Sequence, residues 1–286
     1  MTTAELIVDG EIVEREIEGL GTLRFEDLGP GEWLTKKGDP AKVARRRYSL
    51  DGDDLLSVSA ITGTLEKPAL VPWAEAKGIE GTMQGVAGGL IDPMLHDGPA
   101  AVQIVRKENL GADATRDEAA DRGKAIHTAF HMLATTGNAP KLADFPVEWH
   151  PWVKGAVRAW LELRPEAEEA ERIVCSPQHR YAGRPDLICR INGRRTLLDY
   201  KTGKGRVYEQ AHYQTRLYAM ALEPSGIEPV EDIIIIGIAD DGAWEPVHSE
   251  ATELDALGLL SVHLSRKRIL AGQATQRAAL RKARAA

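Results

Sequence analysis

The spacing of apolar residues divides the chain into stretches of different period. Residues 5–25 (ELIVDGEIVEREIEGLGTLRF) alternate apolar and polar positions around Asp9-Gly10, the pattern of a small N-terminal hairpin. Residues 29–53 are rich in Gly, Pro and charge, and read as a loop carrying Arg45, Arg46 and Arg47. LLSVSAITGTLEKPALVPWAEAKGIEG leads into helical structure interrupted by Gly and Pro, and residues 85–100 (GVAGGLIDPMLHDGPA) read as a mobile loop. No repeat period or low-complexity segment is present.

From Asp113 the period becomes helical. DATRDEAADRGKAIHTAFHMLATTG has acids near its start and Gly137 after its end, both helix-boundary signals. Ala119, Gly123, Ile126, His127 and Phe130 fall on one face of that helix. Pro151 opens a second helix, PWVKGAVRAWLEL, because proline is tolerated in a first turn. Then come a strand-like ERIVCS, the segment RPDLICRINGRRTLLDYKTGK, and a helix over YEQAHYQTRLYAMAL. DIIIIGIA is a β-branched run suited to a strand covered on both faces, and a last helix spans about Leu254 to Leu270. The resulting order predicts an α/β fold with a central mixed sheet flanked by helices, preceded by a β-rich N-terminal extension.

Asn192-Gly193 lies between two strand-like runs and predicts a two-residue type I′ hairpin turn. That turn would set Ile191 opposite Arg194, Cys189 opposite Thr196, and Asp186 opposite Asp199. Directly opposed residues have Cβ atoms roughly 4.5–5.5 Å apart. Alternation puts Lys201 on the same face and turns Tyr200 away. Like charges in that position repel, and one carboxylate would stay protonated unless a cation intervened. Lys201 offsets part of the repulsion. A hard divalent cation bound by both acids removes it, and Mg²⁺ commonly uses one or two carboxylates plus water and phosphate. The competing reading is a surface hairpin with solvated acids paired to Lys201; a bulge in either strand would favour it.

Composition narrows the setting. With 43% hydrophobic and 28% charged residues the chain reads as soluble and globular. It has no run of eighteen apolar residues and no apolar leader, which predicts a cytoplasmic protein without a membrane partner. Two cysteines, Cys175 and Cys189, are too few for an iron–sulfur cluster and read as small buried apolar residues. Net charge is −7, against indiscriminate coating of nucleic acid. Yet no acid follows Ala256, while Arg266, Lys267, Arg268, Arg277, Arg281, Lys282 and Arg284 are cationic. With the Arg45–Arg47 cluster, such patches suit contact with a polyanion; a solvated helix end with a frayed tail is the plainer reading.

These motifs carry a resemblance. GRPDL followed by LLDYKTGK resembles the core of the PD-(D/E)XK nuclease superfamily, in which an Asp on one strand and an acid-x-Lys on the next hold a metal. RGKAIHTAFH, ERIVCSPQHRYAGRPD and HYQTRLYAMAL are similar to the Gly-x-x-x-His, strand-initial acid and Gln-x-x-x-Tyr motifs of its RecB-like exonuclease branch. SVSAITGTLEKPALVPWA is similar to a stretch that precedes this core in phage-type members. The resemblance covers roughly residues 52–240. It departs from the CRISPR-associated members, which carry an iron–sulfur cluster, and lacks the helicase motifs of RecB-type machines.

The resemblance implies a restriction-endonuclease-like core over residues 52–271, after an extension over 1–51 and before a basic tail over 272–286. It implies Asp186 and Asp199 as metal ligands for one or two Mg²⁺ or Mn²⁺ ions, joined by His127 and the Tyr200 carbonyl. His131 is the next-turn alternative to His127, and a core histidine is the plainer role. Lys201 would orient or deprotonate the attacking water, or simply neutralise the acids. Glu171 would join the catalytic set, or belong to the solvated run EAEEAE. Gln214 and Tyr218 would contact the DNA backbone or buttress the Lys201 strand, with core packing as the rival role for Tyr218. Arg184, facing Lys201, and Arg45–Arg47 would bind DNA. The implied activity is DNA exonuclease in recombination, repair or replication. A same-fold endonuclease and a non-catalytic DNA-binding subunit are the rivals. A recombinase or helicase partner chain and a homo-oligomer are compatible with the resemblance.

Overall fold

The computed structural model describes residues 11–29, 45–66 and 70–284. In chain order the strands and helices begin with β1 (Glu11–Ile17), β2 (Gly21–Leu28), β3 (Arg45–Leu50) and β4 (Asp53–Ser57). Helices α1 (Val58–Thr62), α2 (Leu70–Ala87), α3 (Gly98–Lys107), α4 (Ala112–Thr136) and α5 (His150–Leu163) follow. Next are β5 (Glu166–Ala170), β6 (Val174–Ser176), β7 (Tyr181–Gly183), β8 (Leu187–Ile191) and β9 (Arg194–Thr202). The chain ends with α6 (Glu209–Leu222), β10 (Asp232–Ile238), β11 (Trp244–His248) and α7 (Glu253–Arg284).

The strands form two sheets, ordered β1-β2-β3-β4-β7-β6 and β11-β10-β9-β8-β5. The second is mixed: β8–β9 is an antiparallel hairpin, whereas β9 and β10 run parallel, joined by α6. Asn192 (φ 51°) and Gly193 (φ 78°) both occupy the left-handed region, as a type I′ turn requires. The ladder pairs Ile191 with Arg194, Cys189 with Thr196 and Leu187 with Leu198, with no bulge between them. The sequence-derived register therefore holds. Gly193→Val should lower stability by about 1–2 kcal/mol, because a Cβ clashes at positive φ; a urea unfolding midpoint measures it.

The apolar pattern explains how helices cover this sheet. Leu197 and Ile233 point to one face, where Leu217 and Leu222 of α6 meet Ile61, Tyr181 and Leu260. Leu198, Tyr200, Ile236 and Ile238 point to the other, against Ile126, Phe130 and Leu133 of α4 and Val153 and Ala156 of α5. Ile233 to Ile236 are all buried, as expected of a β-branched strand covered on both sides. A third cluster joins Ile17, Leu23, Phe25 and Tyr48 to Ile173, Cys175 and Ala182. Both cysteines are free and buried.

Several expectations are corrected. Among the described residues the first hairpin turns at Glu18–Leu20, where Gly19 (φ 74°) and Gly21 (φ 105°) supply left-handed backbone. Asp9-Gly10 lies outside the described residues. Arg45–Arg47 are not in a loop but in β3, which pairs with β2 and β4. The boundary at residue 51 falls in the β3–β4 turn of one continuous sheet, since β4 pairs in parallel with β7. The loop over 85–100 is shorter than expected: α2 runs to Ala87 and α3 begins at Gly98, where the Asp97 side chain caps Ala100 N–H at 2.9 Å. Residues 272–284 continue α7, whose only buried side chains among the described residues are Ala256, Leu259 and Leu260. No described helix is long and apolar enough to cross a membrane.

Candidate active site

The hairpin brings two acids and a lysine to the end of β8 and β9. Asp186 sits one residue before β8, and its Oδ2 accepts the Tyr200 N–H at 2.9 Å, extending the ladder through a side chain. Its own carbonyl accepts the Glu171 N–H at 3.0 Å. Asp199 is fully enclosed in β9, and neither of its carboxylate oxygens has a hydrogen bond of good geometry. Its close cation is Lys201, whose Nζ lies 2.6 Å from Oδ2. His127 approaches from α4, with Nδ1 3.3 Å from Asp186 Oδ1.

The charges are strongly coupled. Burial pushes the Asp199 carboxyl up to about 6, and the Asp186 charge adds to this while Lys201 opposes it. Burial also favours neutral Asp186, but His127, Lys201 and the Tyr200 N–H outweigh it and hold the group below the usual carboxylate range. Burial works against a charged Lys201, yet the two carboxylates raise its pKa, so it is a protonated donor at neutral pH. His127 behaves alike: burial lowers it, and Asp186 more than restores it.

The surrounding residues take more varied places. The Tyr200 ring leaves the site and stacks on Phe130, with centroids 3.5 Å apart and planes 4° from parallel, so only its main chain faces the acids. His131 is buried with Nδ1 unpaired, in a narrow crevice it shares with His127, Glu171 and Asp186. Glu171 does not begin a strand. It stands at positive φ (50°) between β5 and β6, and the acidic run before it forms β5 at the sheet edge. The sequence offers no alternation there from which β5 could be read.

Among the described side chains, those expected to contact DNA have partners within the protein. Arg184 precedes the β8–β9 ladder; its guanidinium pairs with Glu171 at 3.0 Å and lies 5.4 Å from the Phe25 ring. Gln214 Nε2 donates to Tyr218 Oη at 2.9 Å, and Tyr218 is buried. Its ring fills the space beside Gly183, where a Cβ would meet Cε1 at 2.3 Å, so the pair supports β7 and the approach to Asp186. Arg46 pairs with the buried Asp27 at 2.9 Å, and Arg47 with Asp54. The side chain of Arg45 lies outside the described residues.

A sequence model of the PD-(D/E)XK nuclease superfamily matches residues 99–279. The chain belongs to the PD-(D/E)XK nuclease superfamily. No curated protein matches it. The superfamily match spans α3 to α7 and contains Asp186, Asp199, Lys201 and His127. As a PD-(D/E)XK protein the chain is a nuclease, a hydrolase of phosphodiester bonds, and such nucleases typically use divalent metals such as Mg²⁺.

The residues fit such an ion. Lys201 meets Asp199 from one side only, at Oδ2, and a buried carboxylate left otherwise without hydrogen bonds is costly; a second cation satisfies it. Among the described residues no three His, Cys, Asp or Glu side chains gather closely enough to form a metal cage. Two carboxylates with open positions left for water and phosphate suit Mg²⁺ better than a closed structural site.

Proposed function

We propose that this PD-(D/E)XK nuclease is a divalent-metal-dependent DNA exonuclease of the RecB-like, phage-type branch, acting in recombination, repair or replication in the cytoplasm. The observation that carries its catalytic part is the enclosed Asp199, hydrogen-bond-deficient beside Asp186 and Lys201. The exonuclease part rests on the four ordered motifs around His127, Glu171, Asp186–Lys201 and Gln214–Tyr218.

Asp186 and Asp199 would hold the cation, with His127 and the Tyr200 carbonyl as further donors. An ion so held supplies Lewis acidity toward a phosphodiester oxygen and an acidified water. Lys201, kept protonated by its acid neighbours, donates toward the charge that develops on the phosphoryl oxygens. His127 is positioned by Asp186. Glu171 is tied to the same aspartate through its main chain and keeps Arg184 from the acids by pairing with it. Gln214 and Tyr218 act from behind, by fixing β7.

Digestion of end-labelled linear duplex and covalently closed circular DNA, each with Mg²⁺ or Mn²⁺, tests the reading. Linear DNA should be degraded from its ends and the circle left intact. Rapid linearisation of the circle would mark an endonuclease. No metal-dependent hydrolysis of either substrate would leave a DNA-binding subunit.

A further inference from the structure

Helix α4 runs along β9 and overhangs its end. Phe130 stacks on Tyr200, His127 reaches Asp186, and Gly123 comes so close to Thr202 that a Cβ would lie 3.7 Å from its Oγ1. The next residue outward is Arg122. Its guanidinium carbon lies 4.2 Å from the centroid of the Trp152 indole. Trp152 Nε1 in turn donates to the carbonyl of Gly203 at 3.2 Å. Gly203 follows Lys201 by two residues, about 7 Å along an extended chain. Arg122 is thus mounted on the strand that carries the catalytic lysine.

Its charge is unspent. Arg46, Arg47, Arg184, Arg190 and Arg195 all have carboxylate partners. Arg122 has none among the described residues, and its Nε is buried with no acceptor. Lys204, exposed beside Gly203, is also without a carboxylate partner among them. A buried donor without an acceptor is unfavourable, and the fold keeps this one at the rim of an anion-cleaving site. A guanidinium with one face on an indole leaves its edge free, the planar fork that matches phosphate oxygens.

We propose that Arg122, carried on Trp152 and assisted by Lys204, binds a backbone phosphate of the substrate one or two nucleotides from the bond being cut. Phosphates along one strand succeed one another at about 3.4 Å of helix rise, so the roughly 7 Å from Lys201 to Gly203 spans about two nucleotides. The contact reads charge and not base, so it positions any sequence alike. This deepens the nuclease reading and rests on it.

Binding by the Lys201→Ala protein, which holds DNA without cutting it, provides the test. Anisotropy of an end-labelled duplex oligonucleotide is followed with Mg²⁺ across a series of salt concentrations. Adding Arg122→Ala should weaken binding about tenfold at low salt and reduce the slope of log affinity against log salt by about 1. Arg122→Lys keeps the charge and should retain the slope while losing affinity a few-fold. Unchanged affinity and slope in Arg122→Ala, or a lowered thermal midpoint with the slope intact, would overturn the assignment. Failure of the Lys201→Ala parent to bind DNA would instead strike at the nuclease reading itself.

Discussion

Lys201→Ala is expected to slow metal-dependent DNA cleavage by about 10²- to 10³-fold while the protein stays folded and still binds DNA. That range is typical for removal of one preorganised donor aimed at developing charge. Two observations support this proposed role for Lys201. It is held 2.6 Å from Asp199, and the Asp199 and Asp186 carboxylates keep it charged despite burial. A protonated ammonium donates a hydrogen bond and does not accept a proton, so its contribution is electrostatic. Single-turnover cleavage of labelled duplex at saturating enzyme measures the chemical step. An unchanged rate in a folded variant would remove Lys201 from the site.

Asp199→Asn should abolish cleavage and erase the stabilisation that Mg²⁺ or Mn²⁺ confers on the wild type. At a cation concentration of about 100 times Kd, linkage predicts roughly 2.7 kcal/mol, visible as a rise of several degrees in thermal midpoint. The variant should show no such rise. The pH dependence has a definite sign. Asp199 has its folded pKa raised to about 6 against an ordinary 3.8. Its contribution to the stability of the metal-free protein is therefore full below about 3.8 and is lost as pH rises through about 6. His127, also raised, acts in the same direction at higher pH. Asp186, held low, acts oppositely and only in the acid range below its ordinary value. Protons and cation compete for Asp199, so apparent metal affinity should fall about tenfold per unit below pH 6. A metal-induced shift of equal size at pH 5 and pH 7.5, or one retained by Asp199→Asn, would contradict the site.

The positions that sequence reasoning found and those it missed differ in kind. The β8–β9 register was legible from Leu187 to Arg194 because Asn192-Gly193 encodes its own geometry; Asp186, just before it, meets β9 at the Tyr200 N–H, and Asp199 meets Lys201. The helix face of Gly123, Ile126, His127 and Phe130 was legible for a similar reason: apolar spacing records which side is covered. Strand β5 was not, since five residues of Glu and Ala carry no alternation and become a strand only by pairing with β8. The β3 strand was hidden by its consecutive arginines, of which Arg46 is met by Asp27 and Arg47 by Glu26 and Asp54 on neighbouring strands.

Local chemistry in the chain therefore determined the fold class, the hairpin and the acid–acid–lysine core of the site. Which cations are paired with a carboxylate was decided only in three dimensions. Arg184 has the right sequence position and is neutralised by Glu171. Tyr218 has the right motif and is buried against Gly183. Arg122 matches no expected role, yet it rests on Trp152, a residue thirty positions away that holds the end of β9 through Gly203. The physical reason is range. A turn or a strand period is set by neighbours in sequence, whereas the partner that quenches or frees a charge arrives from a distant segment.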